Sequence, residues 1–143
     1  MPPSTASYQI GHKTIDAEHD RIVALWRDLE ATQTMETARD VAAKLMAEAL
    51  GHFAREEEFM TQCGFPRRME HAAMHREMAS SLRRIILAPL LTNEARENFV
   101  AQIRALMQTW VTVHIVVEDA KIAPFARALG NRLANSRRPL AAQ

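Results

Sequence analysis

Histidine, glutamate and aspartate are the side chains a protein uses to hold transition metals, and here they recur at regular spacing. His19, His52, Glu56, His71, His75 and His114 are joined by Glu118 and Asp119. His52 and Glu56 are four residues apart, as are His71 and His75, so on a helix each pair projects toward one point. Neutral imidazole is a good ligand for iron, zinc, copper and nickel. Five histidines exceed what a single zinc takes, and two ions bridged by carboxylates fit the count better. Glu56 is one candidate bridge. The second is expected in "HIVVED", where Glu118 lies four and Asp119 five residues after His114.

The elements that must position these residues are helical. Ile15, His19, Ile22, Trp26 and Leu29 form one apolar stripe at spacings of three and four. Val41, Leu45, Ala49, His52, Glu56, Phe59 and Cys63 form a second. His71, His75, Met78, Leu82 and Ile85 form a third, and Phe99, Ile103, Leu106, Trp110, His114 and Val117 a fourth. Each stripe carries a histidine where a plain core would place an aliphatic residue. Burying imidazoles and a carboxylate without partners is costly, so a choice repeated on all four helices calls for one shared ligand. His12 lies off the pattern and reads as a surface histidine, and Glu57 and Glu58 read as a solvated face.

Punctuation sets the boundaries. Asp16 is expected to cap the first helix, and Thr37 with Asp40 the second. "CGFP" at 63–66 ends the second and leads into the third, Pro89 ends the third, and Thr92 or Asn93 caps the fourth. A short helical turn at 124–129 is expected to stop at Gly130-Asn131. The reading is all-α: an up-down-up-down four-helix bundle over 15–130, with an extended N-terminal arm (1–14), a short C-terminal helical extension and a basic, disordered tail (131–143).

Bulk properties exclude other classes. The net charge of +1 gives no field for nucleic acid, although residues 1–119 carry 13 basic and 17 acidic side chains and the remainder five basic ones alone. One cysteine, Cys63, allows no intramolecular disulfide. With no signal pattern and no run of roughly 18 apolar residues, the expectation is a cytoplasmic protein with no membrane partner. No phosphate-binding glycine loop, nucleophile elbow or paired CxxC is present.

The pieces "IDAEH" (15–19), "HFAREEEFM" (52–60), "GFPRRMEHAAMH" (64–75) and "WVTVHIVVED" (110–119) together resemble the bacterial hemerythrins, over residues 8–119. The resemblance implies a non-haem di-iron centre: two iron ions with a bridging oxide or hydroxide. His71, His75 and His114 would hold one iron and His19 and His52 the other, with Glu56 and Asp119 bridging. It selects Asp119 over Glu118, although five residues on an ideal helix turn the side chain about 140° away. A local distortion must bring Asp119 in. Many members carry a tryptophan near the start, where this chain has Tyr8.

The implied function is reversible binding of O2, for storage, delivery or sensing, with other small diatomic molecules as further ligands. The open position would be on the iron held by His19 and His52. From spacing alone, Ile22, Trp110 and Ile115 are expected to line a dry pocket beside it. Two other readings stand next to this one. The first is a redox or O2 signalling module acting through an unidentified protein partner. The second is a di-iron enzyme that reduces peroxide or nitric oxide or oxidises ferrous iron. No general base or substrate cleft is visible, so a binding protein is expected rather than an enzyme. The ligand set by itself would also accept manganese, cobalt or zinc.

Overall fold

The computed structural model describes residues 8–32 and 34–137. Helices α1 (Lys13–Ala31), α2 (Met35–Gln62), α3 (Arg68–Leu87) and α4 (Asn93–Thr109) form an all-α bundle in which successive helices pack side by side and α4 closes against α1. Beyond α4 the chain stays helical through a π-helical segment (Trp110–Glu118), a 3-10 turn (Asp119–Ile122) and α5 (Ala123–Ser136). The connections are a few residues long, which makes neighbouring helices antiparallel. Among the described residues there is no strand.

The caps explain the ends. The Thr34 hydroxyl accepts from the backbone N–H of Thr37 at 3.2 Å, so α2 starts earlier than a Thr37 cap would allow. Thr92 caps α4 by accepting from Ala95 N–H at 3.0 Å. The first helix departs from expectation: His12, not Asp16, is its cap, with Nδ1 accepting from Ile15 N–H at 3.2 Å. The Asp16 carboxylate instead turns back to accept from Ile10 N–H (2.7 Å) and Gly11 N–H (3.2 Å). That reversal uses the positive φ of Gly11, +90°, which a residue with a Cβ rarely adopts. His12 is therefore no simple surface histidine, and its ring packs edge-on against Phe59, 4.4 Å between centroids.

Gly64, with φ +70°, ends α2 in a Schellman turn. Phe65 N–H donates to Met60 C=O (2.9 Å) and Gly64 N–H to Thr61 C=O (3.3 Å). Phe65 and Met60 also share one apolar cluster, the contact that commonly accompanies this turn.

Two expectations at the chain ends change. Tyr8 and Ile10 in the arm are buried, and α1 begins at Lys13. At the other end, the helix expected to stop at Gly130-Asn131 runs on to Ser136. Pro124 does not break it, because proline in the first turn needs no N–H. Gly130 is solvent-exposed and is carried as an interior helical residue. The expected disordered tail at 131–143 is thus helical as far as Ser136, and 1–7 and 138–143 lie outside the described residues.

Buried apolar side chains form two clusters. The larger holds Ile22, Trp26, Leu29, Leu45, Phe53, Leu82, Ile103, Trp110, Val111 and Ile115 among others. The smaller gathers Ile10, Ile15, Phe59, Met60, Cys63, Phe65, Ile122 and Ala126 from the arm, α1, α2 and the end of the chain. The helical run Asn93–Ser136 includes an 18-residue window of mean hydropathy 1.2, apolar enough by length and composition to cross a membrane. Its residues Trp110, Val111, Ile115 and Ile122 are buried in these two clusters. Burial pushes the Cys63 thiol above its usual range, which suits packing rather than reactivity.

Candidate metal centre

Eight ionisable side chains, Glu18, His19, His52, Glu56, His71, His75, His114 and Asp119, are buried together, each at most 4% exposed. The seven expected from the sequence converge, and they do so in two overlapping groups. Glu56, His71, His75, His114 and Asp119 offer ligand atoms that all lie within 4.8 Å of one another, and so do His19, His52, Glu56 and Asp119. Both carboxylates belong to both groups.

The carboxylate oxygens divide between the two sides. Glu56 Oε1 faces His71 Nε2 (2.7 Å) and His75 Nε2 (3.2 Å). Its Oε2 faces His52 Nε2 (3.5 Å) and His19 Nε2 (3.7 Å). Asp119 Oδ1 faces His71 Nε2 (2.9 Å) and His114 Nε2 (3.0 Å), while Oδ2 faces His19 Nε2 (3.0 Å). Three imidazoles therefore stand on one side of the carboxylate pair and two on the other.

Asp119 reaches this layer because the helix changes pitch. From Trp110 to Glu118 the backbone bonds run i→i+5, and Asp119 N–H closes onto His114 C=O. A turn of more than four residues stacks side chains five apart, as a regular α-helix does not. Glu118 is left outside, where it pairs with Lys121 at 2.9 Å.

The outer faces of three rings are held as well. His19 Nδ1 donates to the Tyr8 carbonyl at 2.8 Å. A carbonyl can only accept, so the neutral ring carries its proton on Nδ1 and turns a bare Nε2 inward. His52 Nδ1 lies 3.0 Å from Glu18 Oε2, whose other oxygen accepts from Arg55 Nε. His75 Nδ1 lies 2.9 Å from Glu57 Oε1. Glu57, expected in a solvated face, thus reaches back to the site. Phe53 stacks on His75, with centroids 4.2 Å apart, and meets Trp110 at 5.3 Å.

Does this set fit a metal? His19 Nε2, His52 Nε2, Glu56 Oε2 and both Asp119 oxygens are buried without a hydrogen-bond partner among the described residues. Several nonetheless lie 3.0–3.7 Å from an opposite atom. None of these approaches makes a hydrogen bond, as expected when donors aim at points between them rather than at each other. Buried polar groups are seldom left so. Imidazole nitrogens and carboxylate oxygens are a donor set for iron and its neighbours in the first transition row, so the residues fit.

Without metal the layer holds its charge as ion pairs. Burial alone would lower the His19 pKa, but the facing carboxylates of Asp119 and Glu56 outweigh it and raise it to about 10. The same balance raises His71 to about 9. Burial opposes ionisation of Asp119 and Glu56, yet the facing histidines hold both below the usual carboxylate range. Burial likewise works against Glu18, and His52 with Arg55 holds it low.

Ile22, Trp110 and Ile115 are buried, at 0–1% exposure, in the larger apolar cluster. A crevice of about 10 Å³ reaches His71 past Phe65, Met74 and two surface ion pairs, Arg67 with Glu70 and Glu118 with Lys121. Four wider cavities, about 390 to 580 Å³, open elsewhere and touch none of the seven residues.

Glu18, Arg55 and the Tyr8 carbonyl were missed by reading the sequence. Glu18 had a signal: it sits three residues after Ile15 and four before Ile22, on the buried face of α1. A backbone acceptor such as Tyr8 has none.

Residues 11–126 match the hemerythrin family, described as the hemerythrin HHE cation binding domain. A bacteriohemerythrin of Stenotrophomonas maltophilia (strain R551-3) is 28% identical over 128 residues, which cover 87% of this chain and 81% of that relative.

Proposed function

The chain belongs to the hemerythrin family, and from that premise we propose that it binds O2 reversibly at a carboxylate-bridged di-iron centre. The observation that carries the reading is the division of Glu56 and Asp119 oxygens between three imidazoles and two. His71, His75 and His114 would hold one ion, His19 and His52 the other, and both carboxylates would span the pair. Two ferrous ions, when bound, would supply one electron each and an open position for a small ligand.

The chain's own residues do the rest. The two-histidine side has fewer protein donors, so ligand space is left there. Phe53, stacked on His75, and Trp110 behind it are buried with Ile115; such apolar residues exclude water and so would favour release of O2 as O2 over its loss to solvent in reduced form. The crevice at His71 lies on the three-histidine side and has room for about one water-sized molecule, so it offers no cleft for a large substrate. This favours a binding protein for storage, delivery or sensing over an enzyme.

The test is to load the protein with ferrous iron without air, count the metal, and follow its visible spectrum through cycles of O2 addition and removal. An absorption band that rises with O2 and vanishes on its removal, over several cycles, is expected. Irreversible oxidation at first exposure would overturn reversible binding, and uptake of fewer than two irons per chain would overturn the di-iron assignment.

A further inference from the structure

Glu18 is a fully buried carboxylate that none of the seven site positions includes. It directly precedes His19 on α1, yet it binds a different helix. Its Oε2 meets His52 Nδ1 at 3.0 Å, and its Oε1 accepts from Arg55 Nε on α2. A buried carboxylate is tolerated only when it is paired and hydrogen-bonded, and here both oxygens are used.

Arg55 can reach Glu18 because of what lies beneath it. Its side chain is about half exposed, and the guanidinium folds back along α2 over Gly51. A Cβ at Gly51 would lie 2.7 Å from Arg55 Nη2 and 3.2 Å from Nη1. Glycine is a poor helix former, and Gly51 sits well inside the 28-residue α2. The missing Cβ gives the guanidinium its resting place.

The three oriented histidines differ in how they are held. His19 donates to a backbone carbonyl, and His75 meets Glu57, whose side chain is 40% exposed. Only His52, of these three, faces a fully buried carboxylate backed by a cation. Charge-assisted hydrogen bonds of this kind are shorter and stronger than neutral ones. A carboxylate accepting from the outer nitrogen of a ligating imidazole fixes its tautomer and raises its basicity.

We infer that Glu18, clamped by Arg55 over Gly51, is a positioning residue that aims a bare His52 Nε2 at the metal shared with His19 and strengthens it as a donor. The inference rests on the metal-site reading above. It makes the two sides unequal beyond their histidine count, with the two-histidine side depending on a clamp the three-histidine side does not share.

The experiment titrates metal-free protein with Co2+ under argon, by calorimetry and visible absorption, for the unsubstituted chain, Glu18→Gln and Gly51→Ala. Thermal melting of each metal-free form is recorded beside it. For Glu18→Gln, affinity at one of two sites is expected to fall by about 10–100-fold, with the other site unchanged. For Gly51→Ala, a smaller loss at the same site is expected, with the other site unchanged, because the added Cβ displaces Arg55 while His52 still pairs with Glu18. A purely structural Glu18 would lower both affinities and the melting temperature together, and that result overturns the inference. So does unchanged binding in both variants. An unsubstituted chain that takes up no Co2+ would overturn the metal-site reading, and this inference with it.

Discussion

At the scale of single residues, a bound metal would compete with protons for the same nitrogens. His19 and His71 have pKa values raised to about 10 and about 9 from the usual 6.5. In the metal-free protein their stabilising contribution is therefore complete below pH 6.5 and is lost as pH rises through 9 to 10. Glu56 and Asp119 are lowered, so theirs is complete above the ordinary carboxylate range and is lost in acid. The melting temperature of metal-free protein is expected to fall on both sides of neutrality. With metal bound the alkaline fall between pH 9 and 10 should be absent, since a ligating imidazole needs no proton there. Melting curves across pH, with and without metal, check this. Six of the seven inward-facing groups were legible because a charged or imidazole side chain on an apolar stripe is conspicuous; Asp119 lies off its stripe and was singled out over Glu118 by the family resemblance alone. The supporting groups were not legible: Glu57 follows Glu56 in a run of three glutamates, and nothing in that run tells which one turns inward to His75.

At the scale of elements, the decisive piece is the π-helical segment Trp110–Glu118. The spacing of His114 and Asp119 required a distortion, and the sequence did not say which. The segment answers with one i→i+5 stretch that runs directly into the 3-10 turn. Because Glu118 is turned away and paired with Lys121, it cannot stand in for its neighbour. Asp119→Asn is expected to cut metal content to less than half, measured by elemental analysis, with Glu118 giving no rescue. The other helix ends were legible where a threonine or glycine acts by a common rule, as at Thr92 and Gly64. They were not at His12, because an imidazole is an unusual cap. Nor were they at Thr34, because "TQTMET" offers three threonines within six residues. Thr92→Ala is expected to cost about 1 kcal/mol of stability in urea denaturation, the usual value of a lost N-cap, without changing metal content.

At the scale of the whole molecule, the bundle itself was legible: four stripes with short links leave little else. Less so was the division of the interior into two apolar clusters. The smaller one draws on both ends of the chain, residues whose partners lie a hundred positions away and leave no local pattern. Phe53 belongs to the larger cluster and stacks on His75. Phe53→Ala is expected to destabilise the protein by about 3–5 kcal/mol, read from chemical denaturation of the metal-free form.

That division has a consequence for cooperativity. Asp16 pins the arm, and Ile10, Ile15, Phe65, Ile122 and Ala126 pack together, so this end of the molecule can open as a unit of its own. In hydrogen–deuterium exchange on metal-free protein, amides of Ile122–Ala134 should exchange together and earlier than those of Leu45–Phe53. A bound metal pair would draw ligands from α1, α2, α3 and the segment that leads into α5. Protection of the two regions should then converge, and a protein that opens in two stages when empty would open in one when loaded.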